Sequence, residues 1–186
     1  MADAVLVALI AGVVALSVAY INSFLAESYR RFRDGSTLAA SLAGELASYE
    51  PAWPILSNAL SFLLTSLDTG TRKHTMFRPF AQPRDLVFED SVAKLGLLGT
   101  EIAENIVFVY SNIRAFRAAL EVIMRDEKEM SDHELRARCV ACQEALQRAG
   151  NRGEQLLVQL RARSTARFVP EWPWAAWLAL FARYPV

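Results

Sequence analysis

Apolar positions along the chain follow patterns of different period. Residues 4–26 are apolar all round and contain no charged side chain. Residues 100–125 and 131–163 place apolar side chains at alternating spacings of four and three, which is the period of a heptad seam. Residues 170–184 are rich in tryptophan. Together these patterns predict an all-α chain with one N-terminal transmembrane helix, a helical bundle built on an antiparallel heptad hairpin, and an aromatic tail helix.

The stretch 4–26 has the length and composition of a transmembrane helix. About 23 residues in a helix rise enough to cross a hydrocarbon core of about 30 Å. Asp3 and Glu27 bracket the stretch, and Tyr20 suits an interfacial position. A cleaved signal peptide needs a basic start and an A-x-A-like cleavage site, whereas this chain begins Met-Ala-Asp and offers Phe24-Leu25-Ala26, with a bulky residue where a small one belongs. We expect a retained span rather than a signal peptide or a buried soluble helix.

Charges beside the span predict its orientation. Arg30, Arg31 and Arg33 follow it directly, and only the terminal amine precedes it. The positive-inside rule therefore predicts an outside N-terminus and a cytoplasmic body at a bacterial inner membrane. Two domains are expected: a span with its basic juncture over residues 1–34, and a cytoplasmic α-helical domain over residues 35–186. Two cysteines are compatible with a reducing compartment.

Small residues recur within the span at a spacing of four. Such rows let two membrane helices approach closely, so a homo-oligomer formed through the span is one expected partner besides the lipid bilayer. Alanine and glycine are also common in membrane helices that have no partner. The two rows are Ala4, Ala8 and Gly12, and Ala11, Ala15 and Ala19.

The first part of the predicted body contains a helix, a break and a second apolar stretch. Ser36 and Thr37 can cap a new helix after the arginine cluster, and Pro51 and Pro54 interrupt that helix. Residues 51–67 carry no charge, but they include two prolines and reach only the lower length limit of a span. A core helix is therefore the preferred interpretation, and a membrane-embedded segment is the alternative.

A basic loop and a short helix follow. Residues 68–84 hold glycine, prolines and several basic side chains, so they predict an exposed loop. This loop is either solvated or in contact with anionic headgroups or a partner. Residues 85–95 predict a short helix that ends at Gly96.

The heptad pattern of the hairpin over residues 100–163 is continuous. Thr100 can cap its first helix, and Ser131 with Glu134 forms a capping box for its second. A short turn joins the two helices, so they are expected to pack antiparallel. The seam consists of Ile102, Ile106, Val109, Ile113, Phe116, Leu120 and Ile123, and then of Leu135, Cys139, Cys142, Leu146, Ala149, Gly153, Leu156 and Leu160.

Three polar side chains lie among the apolar residues of the first hairpin helix. They are Asn105, Tyr110 and Asn112. We expect them to hydrogen-bond to a neighbouring helix and to serve the structure rather than a reaction.

The tail over residues 170–184 combines aromatic residues with few charges. It is too short to cross a bilayer. Its apolar face either lies at the bilayer surface, where tryptophan is favoured, or docks on the helical body. The candidate contact residues are Trp172, Trp174, Trp177 and Phe181.

Composition excludes several classes of protein. The chain is 53% hydrophobic and 22% charged, which is too apolar for a disordered tail. Twenty basic and 20 acidic side chains cancel, so the bulk positive charge of a nucleic-acid binder is absent. Two cysteines cannot build a disulfide scaffold.

The spacing Cys139-x-x-Cys142 is the only motif that resembles a chemical site. A redox pair needs a helix N-terminus, whereas these thiols fall in mid-helix on an apolar seam. A zinc site needs four ligands, and only His74 and His133 could add to the thiols. Packed core thiols are the expected role, and we expect no catalytic residue, no cofactor and no metal.

One segment resembles a group of known proteins. Residues 87–110 contain Lys-Leu-Gly-Leu-Leu from Lys94, and end in Ile-Val-Phe-Val-Tyr at Tyr110. This pattern resembles a segment of small uncharacterised bacterial single-pass membrane-anchored helical proteins. The resemblance implies one N-terminal span, a basic juncture, a helical cytoplasmic body and a bacterial inner-membrane location. It implies no activity, so no site residue is transferred.

These features favour a membrane-tethered, non-enzymatic interaction or scaffold protein with an unknown protein partner and no nucleic acid. A membrane-active effector, of the phage-exclusion or toxin type, is the alternative. Such an effector would assemble through its span and its tryptophan-rich tail. An enzyme is the third hypothesis, and no catalytic constellation supports it.

Overall fold

The computed structural model describes residues 2–72 and 84–169, and the regular elements within them are all helices. The predicted all-α class is therefore confirmed for this part of the chain. In order, the elements are α1 (Ala2–Ala47), α2 (Ala52–Asp68), α3 (Leu86–Ser91), a 3₁₀ helix (Val92–Leu98), α4 (Thr100–Asp126) and α5 (Asp132–Thr165).

Helix α1 runs without a break through 46 residues, a length of about 69 Å. The prediction of a new helix capped by Ser36 and Thr37 is wrong. Their hydroxyls donate instead to the carbonyls of Phe32 and Arg33, at 3.0 and 3.1 Å, and the helix continues through them. Gly35 is buried there and packs tightly, since a Cβ added to it would lie only 2.8 Å from the Leu97 carbonyl oxygen. The glycine therefore allows a close approach and does not end the helix.

The two halves of α1 have different surroundings. Its N-terminal half is long and apolar enough to cross a membrane, and the most apolar 18-residue window has mean hydropathy 2.4 with none of it buried. We call residues 5–26 the apolar half. From Gly35 onwards α1 buries one face, which includes Ala39, Leu42 and Leu46. One continuous helix thus joins an exposed apolar rod to a packed body.

The body contains α4 and α5 side by side in opposite directions. Asn105 pairs with Gln159, and Arg148 with Asn112, so positions rise in one helix as they fall in the other. Helix α1 packs along the C-terminal half of α5, and α2 packs along its N-terminal half. A short turn at residues 48–51 joins α1 to α2.

Two clusters of buried residues fill the body. The proximal core lies on the side of the apolar half of α1, the distal core lies beyond it, and Trp53 packs against both. The proximal core comprises Ala39, Leu42, Ala43, Leu46, Phe88, Leu95, Leu98, Ile106, Val109, Tyr110, Ile113, Ala149, Leu156 and Leu160. The distal core comprises Leu60, Leu63, Leu67, Phe116, Leu120, Ile123, Met130, Leu135, Cys139, Cys142, Ala145 and Leu146.

Local geometry differs from the sequence expectations around the first turn of α4. The prediction of one short helix over 85–95 is wrong, because α3 ends at Ser91 and a 3₁₀ helix follows that includes Gly96. Gly99 has a φ of +89°, a conformation that favours glycine, and it precedes α4 without a side-chain cap from Thr100. At the start of α5, the Ser131 hydroxyl does accept from the Glu134 amide.

Candidate functional site

The two small-residue rows of α1 are exposed wherever their side chains are described. Gly12 of the first row and Ala15 and Ala19 of the second are exposed, and a Cβ built on Gly12 meets no atom within 4 Å. The described part of the chain places no neighbouring helix against either row. Self-association through them stays a prediction.

The three predicted juncture arginines are exposed on α1. Arg30 makes an ion pair with Glu27 at 3.0 Å on the surface, while Arg31 and Arg33 point their charges to solvent. The other predicted contact residues, Trp172, Trp174, Trp177 and Phe181, lie outside the described residues.

The end of α5 packs against α1 beside these arginines. The ring of Phe168 lies 5.3 Å from that of Tyr29 and 5.4 Å from that of Phe32. The Arg163 guanidinium lies 4.7 Å over the Phe32 ring and donates to the Ser36 hydroxyl at 3.3 Å. We call Tyr29, Phe32 and Phe168 the aromatic contact.

Sequence reasoning missed the aromatic contact. Tyr29 and Phe32 share a helix face by their spacing of three, which was a usable signal. Nothing in the sequence showed that Phe168 would meet that face. The contact brings Val169, the last described residue, close to the juncture, so the tryptophan-rich segment follows directly from this point of the fold.

A second group of polar residues is partly buried between α1, α3 and α4. The carboxylate of Glu45 accepts from the backbone amides of Val87 and Phe88, at 2.9 and 3.1 Å, and from the Tyr110 hydroxyl at 2.8 Å. Glu45 thereby satisfies amides in the first turn of α3 that have no partner within that helix. One side chain of α1 therefore holds both α3 and α4.

Asp85 is the other centre of this group, which we call the Glu45–Asp85 network. It is 2% exposed and accepts from the Tyr49 hydroxyl at 2.8 Å and from Arg117 at 2.7 Å. Arg114 approaches its second oxygen at 3.5 Å. The charge of Asp85 is thus buried with its partners around it, as buried carboxylates require.

The two phenols of the network are held in their neutral form. Burial, followed by the hydrogen bond to Glu45, raises the pKa of Tyr110 above its ordinary range. Burial also raises the pKa of Tyr49 to about 12, although its bond with Arg117 works in the opposite direction. Both phenols therefore stay neutral near pH 7 and act in the network as hydrogen-bond donors to the two carboxylates.

The expected polar contacts of α4 are confirmed. Asn105 donates to Gln159 at 3.0 Å, and Asn112 accepts from Arg148 at 3.0 Å, so both bridge to α5. Tyr110 bridges to α1 instead. Sequence spacing identified these residues but not Glu45, although a carboxylate between Leu42 and Leu46 on an apolar face was a signal.

Both cysteines lie in the distal core at 0% exposure. Burial raises the pKa of Cys139 to about 11 and that of Cys142 to about 12. The Cys142 thiol donates to the Phe116 carbonyl at 3.7 Å. These are packed thiols without the lowered pKa that redox or nucleophilic cysteines need. Within residues 2–72 and 84–169, no three His, Cys, Asp or Glu side chains are grouped to hold a metal ion.

A cleft and a cavity lie beside the turn that connects α1 to α2. A cleft of about 470 Å³ is lined by residues that include Trp53, Glu50 and Glu154. The Trp53 ring covers Gly150, where a Cβ would lie 2.6 Å from its Cζ2 atom. A smaller apolar cavity of about 100 Å³ lies on the other side of Trp53. Trp53 and Tyr49 line both spaces.

The start of the predicted basic loop lies at the far end of the bundle. Arg72 donates to the carbonyls of Glu127 and Met130 and pairs with Asp132 at 2.8 Å. It therefore holds the turn between α4 and α5, far along the bundle from the apolar half of α1. Residues 73–83 lie outside the described part, so the headgroup contact expected of this loop is untested.

The chain was also compared with known proteins. The resembling segment 87–110 extends over α3, the 3₁₀ helix and the first part of α4. No protein-family model, curated protein or solved structure matches this chain.

Proposed function

We propose that this chain is a membrane-tethered, non-enzymatic interaction or scaffold protein. The observation that carries the proposal is α1, whose apolar half contains no buried residue and whose other half buries one face in the body. An exposed apolar rod of this length is costly in water and stable in lipid. The body then holds its partners close to the membrane, where confinement raises their effective concentration.

The continuity of α1 supports a rigid tether. Residues 27–34, between the apolar half and the packed half, are helical without a break. The heptad seam closes the body into an antiparallel hairpin, and the juncture arginines favour an outside N-terminus at a bacterial inner membrane. This layout agrees with the one that the resemblance of residues 87–110 implies. A rigid link fixes the face that the bundle presents to partners beside the membrane.

Carbonate extraction tests the tether. The full chain should stay in the membrane pellet at pH 11, whereas a variant that lacks residues 1–27 should move to the supernatant and remain folded. That deletion keeps Tyr29 and Phe32, so the aromatic contact survives. A full chain that is extracted would refute the tether.

Thiol labelling tests the orientation. Because the native thiols are buried, an added cysteine gives a signal over a low background. Asp3→Cys should react with a membrane-impermeant maleimide in intact cells, and Asn151→Cys should react only after lysis. Asn151 is exposed on α5, so its thiol is accessible whenever the reagent reaches that side. The reverse pattern would place the body outside.

The membrane-active effector is the competing proposal, and the open row at Gly12 is the observation that favours it. An effector that assembles through this row should release dye from vesicles and slow the growth of cells that express it. The matched pair is Gly12→Leu, which places a large side chain in the small-residue row, and Val13→Leu, which changes the adjacent residue outside the row. Leakage abolished by the first change and kept by the second would favour the effector, whereas absence of leakage and toxicity favours the scaffold.

A further inference from the structure

The tertiary structure brings two arginine groups together at the juncture. The Arg163 side chain reaches Ser36, a residue 127 positions away in the chain, and Phe168 holds the next turn of backbone against α1. Arg167 precedes Phe168 and is exposed. We call the resulting set the arginine collar: Arg30, Arg31, Arg33, Arg163 and Arg167.

The collar lies at the depth of lipid headgroups if the apolar half of α1 spans the bilayer. Residues 30–33 follow residue 26 by four to seven positions, or about 6 to 11 Å along the helix axis. The headgroup layer on each side of a bilayer is about 5 to 8 Å deep, so Arg30 lies within it and Arg33 lies just beyond it. Arginine side chains are long enough to place their guanidinium groups among phosphates from this position.

The net charge of the chain around the arginine collar is positive, although the net charge of the whole chain is zero. The acidic side chains nearby are Glu27, which pairs with Arg30, and Asp34, which is exposed. They offset only part of the collar. The opposite end of the bundle mixes both signs, since Asp126 pairs with Arg125, Asp132 with Arg72 and Glu134 with Arg138.

The aromatic contact completes the fit to a membrane surface. Tyr29 is 53% exposed while its ring edge packs against Phe168, so a polar hydroxyl and an apolar ring stand side by side at the juncture. Aromatic residues of this kind are enriched at membrane interfaces. Arginine forms bidentate bonds to phosphate oxygens, which makes it well suited to headgroup recognition.

We propose that the arginine collar and the aromatic contact together form a binding site for the headgroups of anionic phospholipids. This inference rests on the proposed function, because it needs the apolar half of α1 to lie in the bilayer. The site exists only in the folded chain, since Arg163 near the end of α5 and Arg167 just after it supply two of its arginines. Headgroup binding there would hold the bundle against the membrane surface and restrict its orientation relative to the bilayer.

The test titrates the full chain in mixed micelles with phosphatidylglycerol or phosphatidylcholine and follows the melting temperature. A ligand that binds only the folded state raises that temperature according to its affinity. We expect apparent binding of phosphatidylglycerol to be at least tenfold tighter than that of phosphatidylcholine. The difference should decrease in 1 M NaCl, because the Debye length falls to about 3 Å.

The variant for this test is Arg31→Gln, Arg33→Gln and Arg167→Gln, which leaves the Arg163 contacts intact. Each arginine near an anionic surface contributes about a fivefold gain in affinity, so the triple change should remove the lipid preference. The matched control is Arg136→Gln, Arg138→Gln and Arg148→Gln. It removes the same charge from exposed positions elsewhere on α5 and should keep the preference.

The outcomes are separable. Equal stabilisation by both lipids would overturn the proposed headgroup site. An equal loss of the lipid preference in both triple variants would overturn it too. A shift of the same size with inorganic phosphate would also overturn it, because the site would then bind a free anion. A chain that resists carbonate extraction but shows no lipid preference refutes the collar alone. A chain that carbonate extracts refutes the tether, and the micelle titration still reports on the collar.

Discussion

The proximal and distal cores use the same two helices but are completed in different ways. Both are built on α4 and α5, and α1 with α3 completes the proximal core where α2 completes the distal one. The proximal core contains the Glu45–Asp85 network, with Asp85 at 2% exposure. The buried set of the distal core is apolar apart from Ser66 and the two thiols.

The length of the third element explains this difference. Helix α2 has 17 residues, so most of its amides bond within the helix. Burial of its apolar face is then enough to hold it on the bundle. Helix α3 has six residues, so its first-turn amides need outside acceptors. Glu45 supplies two of them. A short element packed on a bundle is thus positioned by directional bonds, and a long one by apolar contact.

The two cores are nevertheless mechanically joined. Helices α4 and α5 run through both without interruption, and Trp53 packs against both clusters. We therefore expect the body to unfold as one cooperative unit. The following experiments compare the two cores, beginning with the largest expected effect.

The largest effect is expected for Ile113→Asp, which buries a carboxylate in the proximal core. Ile113 is 6% exposed, so the cost should exceed about 4 kcal/mol and unfold the body. Cys139 and Cys142 report on the distal core in the same molecule, since they react with thiol reagents only when it opens.

Both thiols should become reactive in Ile113→Asp if the cores form one unit. Thiols that stay protected while the circular dichroism signal falls would show two independent units. The control is Val107→Asp, at a position of the same helix that is 47% exposed, and it should leave both signals unchanged.

Asp85→Ala should destabilise the body by about 3 kcal/mol, because it leaves the buried groups of Arg117 and Tyr49 without their acceptor. Urea denaturation measures the change in the free energy of unfolding. Asp90→Ala, at an exposed position in α3 itself, should change that free energy by less than about 0.5 kcal/mol. Equal small effects would show that the bonds of Asp85 to Tyr49 and Arg117 do not stabilise the proximal core.

Alkaline pH should weaken the distal core. The raised pKa values mean that the folded thiols keep protons that the unfolded thiols lose above their ordinary pKa of 9.0. The resulting stability is complete below about pH 9 and is lost as pH rises towards about 11. The slope is about 1.4 kcal/mol per pH unit for each thiol.

Chemical denaturation between pH 8.5 and 10 measures this slope, below the range in which the buried tyrosines dominate. The double variant Cys139→Ala and Cys142→Ala should flatten it, whatever its effect on stability at pH 7. A slope that is unchanged in the double variant would assign the alkaline loss to the proximal core.

The smallest effects are expected at two glycines of opposite surroundings. Gly150→Ala should cost about 1 kcal/mol, because the new methyl group would press on the Trp53 ring and outweigh the gain in helix propensity. Gly44→Ala has open space and should stabilise α1 by about 0.5 to 1 kcal/mol. Thermal melts compare the two, and stabilisation by both changes would show that Trp53 does not join the cores.

Much of the helical content could be predicted because helix period is a local property. Residues 4–26 predict an apolar helix, and the spacing of Ile106, Val109 and Ile113 identifies a face that the structure buries. Errors arose where local signals compete. Ser36 and Thr37 are good caps, but packing against the 3₁₀ helix at Gly35 keeps α1 continuous.

The candidate site was predicted only in part for the same reason. Arg30, Arg31 and Arg33 follow the apolar half in sequence, so a local rule identified them. Arg163 and Phe168 reach the same place through the antiparallel course of α5, which no local rule reports.

The sequence by itself therefore determined the helical class, the exposed apolar rod and the positions of the buried faces, because each depends on side chains a few residues apart. Tertiary structure alone decided which faces meet, how Glu45 comes to hold α3, and that two distant arginine groups form one collar. Those outcomes depend on the direction in which whole helices pack. That direction is set by close approaches such as Gly35 against the 3₁₀ helix and Trp53 over Gly150.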